Sequence, residues 1–149
     1  MDYRKATRED IDNIVDYRLE FVMLIRDIDN SENFRIRTKN YFEEHIDKDD
    51  LVIYLALDNH IIVSSCMACI FQTAPLPSCP EGNIAELLNV YTKNGYRRKG
   101  LAKKLVNMLF AELKEKDVQK IVLEYTDDGF PLYQKLGFTE IDHQMQLRL

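Results

Sequence analysis

The residues best placed to do chemistry lie between Asn83 and Phe110, in the run NIAELLNVYTKNGYRRKGLAKKLVNMLF. An apolar, strand-like stretch passes through a short turn and a basic loop into a helical pattern. A strand that runs through a loop into a helix N-terminus gathers unpaired backbone amides at the positive end of the helix dipole, where they can hold an anion. Gly100 permits the sharp bend and a close approach of the ligand. Ala102 leaves room beside it. Arg97, Arg98 and Lys99 oppose the helix dipole by ~0.3–1 kcal/mol each when exposed, so their placement makes better sense with a polyanion bound. Arg97, Arg98, Lys99, Gly100, Leu101 and Ala102 are therefore the expected anion loop. A solvated basic patch is the simpler alternative. The run fits neither GxxxxGK[ST] nor GxGxxG, so it points away from a P-loop or a Rossmann fingerprint.

Other reactive side chains carry weaker signals. Cys66 and Cys69 have CxxC spacing, but in a strand-like run an offset of three points them to opposite faces. No histidine or second cysteine pair stands near at metal-ligand spacing. Together with Cys79 they read as small buried hydrophobes, and no metal is expected. His60 and His143 fall in turn signals.

These residues need elements to position them. The chain has 149 residues, 46% hydrophobic and 30% charged, which suits one globular domain over 1–149. The expected order is a short strand at Met1–Lys5, a helix from Thr7 to about Arg26, and a second helix from about Ser31 to Ile46. A hairpin follows, made of Leu51–Leu57 and His60–Phe71. Gln72–Gly82 holds three of the four prolines and reads as a loop that could shape specificity. After the central strand and helix come a strand at Gln119–Tyr125, a short helix at Phe130–Leu136 capped by Gly137, and strands at Phe138–Ile141 and Gln144–Leu149. An antiparallel front half followed by a strand–helix–strand unit implies an α/β (α+β) fold. Its mixed, mostly antiparallel sheet would have six to seven strands and four flanking helices.

The net charge of −5 argues against binding nucleic acid through phosphate contacts and fits an amine-bearing substrate. The polar N-terminus reads as no secretory signal and no apolar run is long enough for a membrane span, so a cytoplasmic location is expected, with no membrane partner.

Two motifs in order resemble those of the GNAT superfamily of acetyl-CoA-dependent N-acetyltransferases. Arg97-x-x-Gly100-x-Ala102 is similar to the family's Arg/Gln-x-x-Gly-x-Gly/Ala loop. Leu132-Tyr133-Gln134-Lys135-Leu136-Gly137-Phe138 resembles its closing Y-x-K-L-G-F motif. The resemblance implies that the loop holds the pyrophosphate of acetyl-CoA. It further implies that Asn89, Val90, Tyr91 and Thr92 offer backbone groups to the pantetheine and acetyl groups, with the Val90 N–H at the thioester carbonyl. Tyr133 aligns with the tyrosine that protonates the leaving thiolate, its plain alternative being a packed helix aromatic. Glu86, a carboxylate amid AELLNV, is the expected general base, with Glu124 in reserve. The implied function is acetyl transfer to the primary amine of a small molecule by direct attack. A protein or peptide acceptor, and a non-catalytic CoA-binding module, are the alternatives. A homodimer is left open.

Overall fold

The computed structural model describes every residue from Met1 to Leu149. Its elements are β1 (Asp2–Lys5), a 3-10 turn (Arg8–Asp10), α1 (Ile11–Ile25), α2 (Ser31–His45), β2 (Leu51–Asp58), β3 (Ile61–Gln72), β4 (Asn83–Thr92), α3 (Leu101–Glu115), β5 (Lys120–Val122) and α4 (Phe130–Lys135). The strands form one sheet in the order β1-β2-β3-β4-β5. Neighbours are antiparallel from β1 to β4, and β4 and β5 are parallel. A parallel pair needs a long crossover, which α3 supplies.

The two faces of the sheet carry separate cores. Leu51, Ile53, Leu55 and Met67 point to one face and are covered by Ile14, Val15 and Leu19 of α1 and Phe42 of α2. Val52, Cys66, Ala68, Ala85 and Leu87 point to the other, where Leu105, Val106, Leu109 and Leu113 of α3 close over them. The period-two alternation of the strands thus sorts residues to faces, as the sequence predicts. Cys66 belongs to the α3 core and Cys69 to the α1–α2 side, and all three cysteines are unpaired thiols.

The hairpin turn falls one residue later than expected. Asn59 and His60 both take positive φ, 48° and 66°, the geometry of a two-residue turn that matches strand twist. The larger difference is at the other edge. The sheet has five strands because Phe138–Ile141 and Gln144–Leu149 form none, and only Lys120–Val122 of the expected strand at Gln119–Tyr125 joins a ladder. Alternating apolar residues suit a strand, but a strand forms only where a neighbour offers backbone partners. Beyond β5 the chain places no neighbour.

The start of α1 is fixed by a charged anchor. The Arg4 guanidinium donates to both Asp10 oxygens at 2.7 and 2.8 Å, and the Thr7 amide donates to the same carboxylate at 2.8 Å. These bonds hold the Asp10 carboxyl below its ordinary value, the Arg4 hydrogen bond contributing most. A depressed carboxylate pKa stabilises the fold above the unfolded value and is lost as pH falls through the folded one. Asp10→Asn should therefore cost about 1–2 kcal/mol at neutral pH, allowing for solvent around Arg4. The deficit relative to wild type should shrink in urea titrations carried below about pH 4.

Candidate functional site

β4 organises the site because it loses one neighbour halfway along. It pairs with β5 only at Ile84, Ala85 and Glu86, so from Leu87 onward its outer edge has no strand beside it. On its inner side the register with β3 runs from Met67↔Leu88 to Ser65↔Tyr91, which leaves Asn89 and Val90 as a bulge. Asn89 takes φ 53°, a conformation asparagine tolerates better than most residues. Its amide side chain donates to the Ser65 hydroxyl at 3.0 Å, and that hydroxyl donates to the Asn89 carbonyl at 3.2 Å. A bulge bends and twists its strand, and here the bend coincides with the parting from β5.

The strand beyond the bulge is braced from α1. The Tyr17 hydroxyl donates to the Tyr91 carbonyl at 3.0 Å, and the Tyr91 hydroxyl donates to Glu20 at 2.8 Å. Lys93 reaches Glu20 at 3.4 Å. The Tyr17 and Phe21 rings each lie 5.1 Å from the Tyr91 ring. Tyr17, Glu20 and Phe21 had no role in the sequence reading. Their three-to-four-residue spacing was the available signal, since it places them on one side of a helix.

The loop leaving β4 has the geometry the sequence leads one to expect of an anion loop. Gly100 is the N-cap of α3 with φ 78°, and a Cβ built on it would meet nothing. The first amide to bond back along this helix is that of Lys104, to the Gly100 carbonyl at 3.0 Å, so the amides of Leu101, Ala102 and Lys103 have no helical partner. Arg97 donates from Nε to the Thr92 carbonyl at 3.0 Å and lies over the Tyr91 ring. Arg98, Lys99 and Lys103 are exposed and none is in an ion pair. Three free amides and a fringe of unpaired cations, with open space above the glycine, fit a pyrophosphate. The unpaired outer edge of β4 fits an extended amide-bearing arm.

Glu86 and Tyr133 approach this opening from opposite faces. Glu86 is half-buried at the last rung of the β4–β5 ladder and stands opposite Cys69, on the α1–α2 face. It has no hydrogen-bond or ion-pair partner. Tyr133 lies on α4 and packs with the α3 core, its ring edge-on to Phe138 at 5.7 Å. Its hydroxyl has no protein partner, and burial pushes the phenol up to about 12. The sheet opens between its two faces where β4 leaves β5 after Glu86. Glu124 is exposed and pairs with Arg26 at 3.4 Å, which makes it a poor base. The loop at Gln72–Gly82 is tied to the start of β5 by the Glu81 amide donating to Gln119 at 2.8 Å, at the closed end of the gap.

No group of three His, Cys, Asp or Glu side chains could hold a metal ion. No helix is long and apolar enough to cross a membrane.

Residues 19–138 match the acetyltransferase (GNAT) family, and the chain belongs to that family. Its fold superposes on the crystal structure of a predicted acetyltransferase with acetyl-CoA from Clostridium acetobutylicum, with a TM-score of 0.90 and 27% identity over 99% of this chain and 95% of that one. An uncharacterised N-acetyltransferase of Escherichia coli is 37% identical over 75 residues, 48% of this chain and 44% of the relative. Glucosamine 6-phosphate N-acetyltransferase of Trypanosoma brucei brucei is 32% identical over 66 residues, 44% of this chain and 45% of the relative. The matched stretch therefore spans less than half the length of these two relatives.

Gly100→Glu should abolish CoA binding in calorimetry while leaving the circular dichroism spectrum unchanged. Its Cβ has space but any side chain at φ 78° is strained, so the effect of the carboxylate among the expected anion-binding amides is read against a second, uncharged substitution. Gly100→Asn, which tolerates the left-handed backbone, should keep most of the affinity. Unchanged affinity in the glutamate variant would remove the phosphate role from this loop.

Proposed function

We propose that the chain transfers an acetyl group from acetyl-CoA to the primary amine of a small molecule by direct attack in a ternary complex. The observation that carries this reading is the gap between β4 and β5, with a half-buried carboxylate on one side and a protonated phenol on the other. When bound, acetyl-CoA supplies an activated acyl thioester.

The chain's residues then have distinct tasks. The amides of Leu101, Ala102 and Lys103 and the cations of Arg97, Arg98 and Lys99 hold the pyrophosphate. Backbone groups of Asn89, Val90, Tyr91 and Thr92 hold the arm in line, and the Val90 N–H polarises the thioester carbonyl. Glu86 accepts the proton of the attacking amine, directly or through one water. Tyr133 gives its phenolic proton to the departing sulfur. Its raised pKa keeps that proton in place at neutral pH, which suits a donor better than a base. The bracing of Tyr91 by Tyr17 and Glu20 keeps the acetyl-bearing edge from closing against β5, which serves alignment more than bond chemistry.

Tyr133→Phe should lower kcat by about 10²-fold or more while changing the Kd for acetyl-CoA little. Glu86→Gln should lower kcat/KM by about 10²-fold while leaving the Kd for acetyl-CoA little changed. Both are read by thiol release from acetyl-CoA across a panel of amines and peptides. Thiol release with peptides alone would move the acceptor to proteins. CoA binding with no release on any acceptor would leave a non-catalytic CoA-binding module.

A further inference from the structure

Two opposite charges beneath α1 and α2 are left without partners. Arg4, Arg8, Arg26 and Arg35 each pair with a carboxylate, and Arg37, Arg97, Arg98 and Arg148 are exposed. Arg18, on α1, is half-buried and pairs with no carboxylate. It reaches the bulge of β4, where Nη1 donates to the Asn89 side-chain oxygen at 3.3 Å, and its guanidinium lies 5.9 Å from the centre of the Phe34 ring on α2. A guanidinium has five N–H donors, and this long bond is the only one that Arg18 makes. Burial pulls its pKa below the ordinary value, yet an arginine keeps its proton in a protein. The charge therefore stays, partly desolvated and with spare donors, which is unfavourable until an anion joins it.

Glu86 is the counterpart. It is half-buried on the same face and has no hydrogen-bond or ion-pair partner either. One thiol locates the two charges together. Cys69 stands opposite Glu86 in the β3–β4 ladder. Burial raises its pKa, the Tyr41 hydroxyl and the Arg18 charge oppose that rise, and the Glu86 charge adds to it. The cation and the carboxylate thus border one patch of strand surface, to which Phe34, Cys69 and Leu88 add partly buried apolar groups. The other carboxylate felt by this thiol, Asp50, is engaged by His45 at 2.8 Å.

The two charges are kept apart by how Arg18 is anchored. The Asn89 amide nitrogen donates to Ser65 at 3.0 Å, which turns its oxygen toward Arg18. Asn89 and Glu86 are three residues apart on β4, about 10 Å of extended chain. The anchor also sets the guanidinium one residue from Val90, whose N–H is the proposed partner of the thioester carbonyl.

We infer that Arg18 and Glu86 together select a short zwitterionic acceptor, Arg18 binding its anionic oxygen group, carboxylate or phosphate, and Glu86 facing the amine a few bonds away. This rests on the acetyl-transfer reading above and narrows its substrate class. The anion takes the spare donors of Arg18 through the fork that a guanidinium offers to carboxylate and phosphate oxygens alike. The ammonium end is drawn to Glu86, where its proton is then removed. A neutral amine meets Glu86 alone and leaves the cation unpaired. A diamine sets a second positive charge against Arg18. The acidic chain as a whole attracts amines, and Arg18 restricts them to those that also carry an anion.

Thiol release from acetyl-CoA should be measured on pairs that differ in the anion: glycine and glycinamide, β-alanine and β-alaninamide, phosphoethanolamine and ethanolamine. In at least one pair the anionic amine should have about tenfold or higher kcat/KM, and the carboxylate and phosphate pairs tell which anion is preferred. Arg18→Met, with a circular dichroism spectrum like that of the wild type, should remove the ratio, and Arg18→Lys should restore part of it. Neutral members used as well as anionic ones in every pair would overturn the inference, as would 1,3-diaminopropane used better than β-alanine. Equal slowing of both members of a pair by Arg18→Met would mean that the residue merely props the bulge, and would also overturn it. If the wild type released no thiol on any amine, the transfer reading would be the one to fall. Calorimetry on the CoA complex would then decide the Arg18 site by itself: N-acetylglycine should bind about tenfold or more tightly than N-acetylglycinamide, and equal binding would remove the site.

Discussion

The structure depends on β4 having two edges with different fates. Its inner edge pairs with β3 throughout, apart from the bulge at Asn89 and Val90. Its outer edge pairs with β5 for three residues and then stands open. Unpaired strand backbone inside a protein is costly unless something else satisfies it. Side chains fix the path of the strand beyond the parting: Tyr17 bonds the Tyr91 carbonyl, Arg97 the Thr92 carbonyl and, from β3 on the inner side, Ser65 the Asn89 carbonyl. Each of these bonds satisfies one carbonyl and fixes the direction of the rest. The strand is thus held in shape, which suits the extended arm of the proposed ligand.

The same parting explains why the two proposed proton-transfer groups can belong to different cores. Glu86 faces the side covered by α1 and α2, and Tyr133 sits with α3. In a closed sheet a residue on each face could never touch one reacting centre. In the proposed reaction the gap would let an acyl group pass between strands, so that the base would meet the amine on one face and the acid the sulfur on the other. The arrangement also separates selection from holding. In the proposed reaction the loop on the α3 side would grip a group common to all acyl-CoA molecules, while α1 and α2 would be free to vary around the acceptor.

How much of this was legible in the sequence follows from how local each feature is. The Gly100 bend, the free amides after it and the apolar stripe of α3 lie within a dozen residues, and their pattern is readable there. Gly137 is equally local, closing α4 with φ 95°. The bulge at Asn89 was not legible, because a bulge is a relation between two strands and the offset appears only when β3 is laid alongside. The brace from Tyr17 and Glu20 to Tyr91 joins residues more than seventy positions apart, and nothing in either segment announces the other. Arg18 escaped notice for the same reason: an arginine on a helix reads as a solvated charge until the absence of a carboxylate around it can be seen.

The C-terminal residues make the opposite case. Their alternation predicts strands, and the prediction of strand character conflicts with a sheet that stops at β5. Local propensity states what a segment would form if given a neighbour, and pairing decides whether it does.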